Sequence, residues 1–64
     1  MKKFILLHSI NGDICICPDN IDSINSITEE TYSSVVYMIE GESYPVKETV
    51  KEIYQKIMYQ EYGE

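Results

Sequence analysis

Ile10-Asn11-Gly12-Asp13-Ile14-Cys15-Ile16-Cys17-Pro18-Asp19-Asn20-Ile21 sets an Asn-Gly pair between two alternating apolar runs. Such a pair marks a two-residue β-hairpin loop, because a type I′ turn needs positive φ at both central residues. Residues 3–10 therefore read as one strand and 13–17 as its partner. With Asn11-Gly12 as the loop, Ile10 faces Asp13, Ser9 faces Ile14, His8 faces Cys15 and Leu7 faces Ile16. Cross-strand partners share a face. Ile5, Leu7, Ile14 and Ile16 thus form one apolar side, with Ser9 near the turn. Phe4, Leu6, His8, Ile10, Asp13, Cys15 and Cys17 form the other, which is more apolar than a fully solvated face.

Downstream, Pro18-Asp19-Asn20 ends the second strand, since Pro lacks the N–H a ladder needs and Asp and Asn favour turns. Ile21, Ile24 and Ile27 recur every third residue, but Ser, Asn and Asp fill the gaps, so one helical turn at 19–21 leading into a short strand fits better than a full helix. Thr28-Glu29-Glu30-Thr31 is a polar loop. Residues 32–39 alternate as a strand, with Val35, Tyr37 and Ile39 opposite Val36 and Met38. Glu40-Gly41 turns the chain into a last strand over 42–46, where Pro45 predicts a sheet edge or the end of hydrogen bonding. Val50, Ile53, Tyr54, Ile57 and Met58 then follow the i, i+3, i+4, i+7, i+8 spacing of one buried helical stripe. Thr49 and Glu52 have capping-box spacing, Glu52 and Lys56 form a favourable i, i+4 pair, and the helix ends near 59–62 with Gly63 past it. The expected fold is α+β: a small, strongly twisted antiparallel sheet of four to five strands, with two hairpins, packed against one C-terminal helix. Residues 1–64 read as one domain, with the sheet over about 3–46 and the helix over about 50–60.

Sixty-four residues lie near the lower limit for folding alone, where small domains lean on staples or partner subunits. Eleven Asp and Glu against five Lys, and no Arg, give a net charge of −6. Nucleic-acid binding calls for a basic patch, and Arg is the residue best suited to phosphate and base contacts, so nucleic acid is not an expected partner. Lys2-Lys3 before the apolar run Phe4–Leu7 has the look of a secretion signal, but His8 breaks the run and no small-residue cleavage site follows. No segment approaches the ~20 apolar residues that cross a bilayer. Two cysteines one residue apart are poorly placed to bridge each other, so no disulfide framework is expected and the cytoplasm is the default location.

The mixed face gathers His8, Asp13, Cys15 and Cys17, residue types that bind zinc. Structural zinc cysteines usually come from knuckle turns with at least two intervening residues, and a flat sheet converges poorly on a tetrahedron, so no metal is expected. His8 across from Cys15 suggests a base and a nucleophile, yet no third orienting residue or oxyanion donor accompanies them, and no catalytic residue is assigned. No cofactor is expected. Of six tyrosines, Tyr37, Tyr44 and Tyr54 are expected around the core, while Tyr59 and Tyr62 fit an interface or a terminal tail equally well. One helix can cover only one face of the sheet. Phe4, Leu6, His8, Ile10, Cys15 and Cys17 are therefore the candidate interface of a homodimer, unless the sheet curls enough to bury some of them.

Three segments carry a family resemblance: Ile10-Asn11-Gly12, then Ile16-Cys17-Pro18-Asp19-Asn20-Ile21-Asp22-Ser23-Ile24, then Gly41 through Val46-Lys47-Glu48-Thr49. In this order they resemble the small FlbD/SwrD-type flagellar and swarming motility proteins and their bacterial and phage relatives, over roughly residues 4–58. Cys17 stands where that family commonly has Asn. The resemblance implies a non-enzymatic bacterial interaction protein acting in or near the motility system, with no catalytic residues to carry over. A fainter similarity to the strand-strand-helix units of LytTR-type DNA-binding domains is opposed by the acidic, Arg-free composition. The alternative function, of another class, is an acidic phage-type inhibitor whose carboxylates at Asp19, Asp22, Glu29, Glu30, Glu40, Glu42 and Glu48 mimic a phosphate row.

Overall fold

The computed structural model describes residues 3–59. Strand β1 (Ile5–Ser9) and β2 (Gly12–Ile16) form the first hairpin, and a 3₁₀ turn (Pro18–Asn20) leads into β3 (Ile21–Ser26). Strands β4 (Ser34–Met38) and β5 (Ser43–Val46) form the second hairpin, followed by helix α1 (Val50–Tyr59). All pairings are antiparallel, in the order β2-β1-β5-β4-β3. This is the expected α+β arrangement, with five strands and one C-terminal helix. The anticipated helix end near 59–62, Gly63 and Tyr62 extend beyond the described residues.

The first hairpin keeps its predicted faces but not its predicted register. Ser9 pairs with Gly12, His8 with Asp13, Leu7 with Ile14, Leu6 with Cys15 and Ile5 with Ile16. The loop is therefore Ile10-Asn11, and Gly12, at φ +129°, occupies the fourth turn position, where glycine is favoured. The Asn11 N–H donates to Ser9 Oγ at 3.0 Å inside this turn. Packing explains the choice. The expected register would set Ile5 opposite Pro18 and leave Leu7–Ile16 as the single apolar pair, whereas the observed one pairs Ile5 with Ile16 and Leu7 with Ile14. Each partner moves by two residues, and an even slide leaves every side chain on its face.

A bulge resolves the three-residue spacing of isoleucines. In a regular strand Ile21 and Ile24 would point to opposite sides, yet both pack against the core. The ladder pairs Ile21 with Met38 and Ser23 with Tyr37, leaving Asp22 as the extra residue. That extra residue rotates the strand by one position and brings both isoleucines to the same side.

Pro45 does not mark an edge, because β5 is the central strand of the sheet. The Met38 N–H donates to Glu42 O at 2.7 Å, and alternation along the antiparallel ladder makes Val35–Pro45 a non-hydrogen-bonded pair. The position where Pro45 lacks an N–H thus faces β1, and there the ladder consists of the single pair Ser9–Val46. The β1–β5 seam is open beside Pro45, so no hydrogen bond is lost.

The core consists of Ile5, Leu7, Ile16, Val36, Val46 and Ile53, with Ile14, Ile21, Ile24, Met38, Tyr44 and Ile57 packed against it. Helix α1 contacts both β1 and β3, which lie second and fifth across the sheet, so the sheet curls around it. Only part of the predicted helical stripe is buried. Ile53 is fully buried and Val50 and Ile57 half-buried, while Tyr54 and Met58 are exposed. Curling narrows the contact to a ridge one residue wide, and the neighbouring positions face outward. Of the tyrosines expected around the core, only Tyr44 packs there; Tyr37 and Tyr54 are exposed.

The capping box forms as its spacing predicts. The Glu52 N–H donates to Thr49 Oγ1 at 3.1 Å and the Thr49 N–H to Glu52 Oε1 at 2.9 Å. The Glu52 carboxylate is thereby directed to the cap, and no ion pair with Lys56 joins it. Thr49→Ala removes an acceptor for one orphan N–H and should lower stability by about 1 kcal/mol, measured by urea unfolding. An unchanged midpoint would mean the helix start is held by other contacts.

Candidate functional site

The candidate site begins where the sheet splits. Past the Ser9–Val46 pair, β5 turns away from β1, and the backbone of His8 would lose its partners on that side. The Lys47 N–H takes the carbonyl, donating to His8 O at 2.8 Å. The His8 N–H has no strand carbonyl to meet, and the Glu48 carboxylate replaces one, accepting at 3.0 Å through Oε1 and 3.2 Å through Oε2. The same carboxylate reaches the ring, with Oε2 at 2.5 Å from His8 Nδ1. The Glu48 backbone is pinned as well: Ser34 Oγ, fully buried, donates to Glu48 O at 2.8 Å. One residue therefore joins β1, β4 and the start of α1.

Glu48 is only 8% exposed, an unusual position for a carboxylate. Burial pushes its carboxyl up. The His8 N–H, the His8 ring, its own backbone N–H and the attraction of His8 together outweigh that push, and the carboxyl titrates below its ordinary value. An ionised Glu48 can only accept, so the hydrogen in the contact with His8 resides on Nδ1. On the far side of the ring, Nε2 lies 3.9 Å from Asp13 Oδ1, which follows directly from the observed register.

The structure keeps His8, Asp13 and Cys15 on one face but changes which of them are neighbours. Cys15 sits opposite Leu6 rather than His8, which removes the base–nucleophile pairing. Cys15 is exposed, while Cys17 is buried. Strand alternation ends at Ile16, and Cys17 begins the 3₁₀ turn, its carbonyl accepting from the Asn20 N–H at 2.9 Å. Cys17 therefore leaves the candidate interface. Phe4, His8 and Ile10 are exposed and Leu6 is half-buried. Among the described residues no group of three or more His, Cys, Asp and Glu side chains could hold a metal ion. The His8 ring meets the carboxylates of Glu48 and Asp13 rather than a hydroxyl or thiol.

Beside this junction an open groove of about 610 Å³ runs between β1 and α1. His8, Lys47, Gln55, Lys56 and Tyr59 line it together with Glu48 and Glu52. Both carboxylates are already engaged, one on His8 and the other on the cap. A smaller depression of about 310 Å³ continues over the outward face of the helix, formed by Lys51, Tyr54, Gln55, Met58 and Tyr59. Reading the sequence alone missed Glu48 as anything more than a surface charge. Its signal was position: an acid between a strand-ending Val46-Lys47 and a Thr49 cap, where the chain leaves the sheet and backbone groups need side-chain partners.

Among the described residues no helix is long and apolar enough to cross a membrane. No curated protein and no solved structure matches the chain. A family model does match, over residues 4–62, and its span takes in the Ile10–Gly12 turn, the Pro18–Asn20 turn with the bulged β3, and the Val46–Thr49 junction. On that match the chain belongs to the FlbD family of flagellar and swarming motility proteins.

Proposed function

We propose that this protein is a non-enzymatic accessory of the bacterial motility system, acting in the cytoplasm through protein–protein contacts and itself a homodimer. Family membership supports the motility role. The observation that carries the interaction role is the engagement of Glu48. The carboxylate best placed to do chemistry instead completes the β1–β5 seam and anchors the helix, so the groups left for function are exposed side chains. No observation favours the alternative of a nucleic-acid mimic.

Deleting the gene in its native host should impair swimming or swarming, with recovery on re-expression. Unimpaired motility would refute the motility role. Self-association through the outer face of β1 and β2, where Phe4, Leu6 and Cys15 lie, should give twice the 7.4 kDa chain mass by light scattering at micromolar concentration, reduced to the monomer by Leu6→Glu. A wild-type protein that remains a folded monomer would overturn the dimer.

A further inference from the structure

We propose that the outward face of α1, with the groove beside it, docks an acidic segment of a partner protein that carries one or two large apolar side chains. The inference rests on the interaction role above and adds the chemistry of the partner. Three large side chains stand exposed on this face, Tyr54 at 58%, Met58 at 59% and Tyr59 at 73%. The helical period places Tyr54 and Met58 one turn apart, with Lys51 and Gln55 alongside them. They form a connected apolar strip on an element whose opposite side is anchored in the core through Ile53.

Charge identifies the occupant. Residues 13–42 hold seven acids, Asp13, Asp19, Asp22, Glu29, Glu30, Glu40 and Glu42, and no lysine. Lys47, Lys51 and Lys56 all lie around the helix, and no ion pair engages any of them among the described residues. Among the described residues around the helix the acids are Glu48, whose carboxylate is buried against His8, and Glu52, whose exposed carboxylate is held at the helix cap. Around the helix lysines outnumber carboxylates three to two among the described residues, in contrast to the lysine-free stretch 13–42, and the exposed apolar strip lies beside them. An acidic partner is repelled from the sheet loops and attracted here over a Debye length of about 8 Å. The apolar strip then supplies the short-range contact, with tyrosine well suited to an interface core.

Random peptides of about twelve residues displayed on phage and selected on the full chain supply the probe. Enriched sequences should be net acidic with aromatic or long aliphatic anchors. Synthesised with a fluorescent label, the best of them should bind about tenfold more weakly to Lys47→Glu/Lys51→Glu and to Tyr59→Ser, and weaken as salt rises. All three substituted residues are exposed, and circular dichroism verifies that the fold is retained. Enrichment of neutral or basic sequences, or an affinity unmoved by both variants, overturns the proposal. Loss of dimer in Lys47→Glu/Lys51→Glu would instead make a second copy the occupant, and variant-sensitive binding to phosphatidylglycerol vesicles without peptide binding would make it a membrane surface; either result overturns it. Peptide binding with motility intact in the deletion strain would sink the motility role alone.

Discussion

Glu48→Ala should lower unfolding stability by about 3 kcal/mol. The substitution leaves the part-buried His8 N–H without an acceptor, frees the His8 ring and loosens the segment that joins β5 to α1. Leaving one buried donor unpaired costs about 1–3 kcal/mol, and here the loss also removes the side-chain bridge between β1 and the segment after Val46. A domain of this size has roughly 3–10 kcal/mol in total, so the variant should be largely unfolded on modest heating. Glu48→Gln keeps the shape and an acceptor oxygen and should cost less. The pair also separates charge from hydrogen bonding through pH. Because the folded carboxyl titrates below its ordinary value, its contribution is complete above that value, near 4.5, and is lost as pH falls through the depressed folded one. Wild-type stability should therefore fall on acidification below this range, and Glu48→Gln should show a flatter acid limb. Equal acid limbs in chemical denaturation would mean that Glu48 is not held ionised by His8.

Ile53→Ala should cost about 3–4 kcal/mol, lowering Tm by roughly 15–25 °C. Ile53 is the buried residue of α1 and joins the helix to the cluster of Ile5, Leu7, Val36 and Val46. The ridge is one residue wide, and the substitution leaves a cavity at its centre, between the half-buried Val50 and Ile57. Met58→Ala, one turn and a step further along, lies outside that contact and should change stability by less than about 0.5 kcal/mol. Thermal melts of the two variants test the narrow ridge directly. Comparable losses would mean that the whole predicted stripe from Val50 to Met58 is buried.

Which elements form, and which way their side chains point, is legible in local pattern. The alternation in 3–10, 13–17 and 32–39, the turn residues at Gly12 and Gly41 and the Thr49–Glu52 box are each contained within a few residues. The resemblance carried by Ile10–Gly12, Ile16–Ile24 and Gly41–Thr49 is local in the same sense, since those segments are turns, a bulge and a helix start. The core face of the first hairpin was readable even though its register was not, because facing is a matter of odd and even positions and survives an even slide. The outcome at β3 was half legible: the Ser, Asn and Asp between the isoleucines pointed to a helical turn and a short strand instead of a full helix, but a bulge needs a partner strand to define it.

Sequence alone determined the α+β composition, the apolar set Ile5, Leu7, Ile14 and Ile16, and the capped amphipathic helix. Tertiary structure decided the hairpin register, the central place of Pro45, the burial of Cys17, the exposure of Tyr54 and Met58, and the role of Glu48. The physical reason is range. Local propensity acts over one turn or one strand, whereas the His8–Glu48 contact spans forty residues of chain and exists only because β1 and β5 part after a single pair. A carboxylate becomes the partner of a distant backbone N–H when the fold leaves that N–H without one, and no pattern around residue 8 or residue 48 specifies the gap.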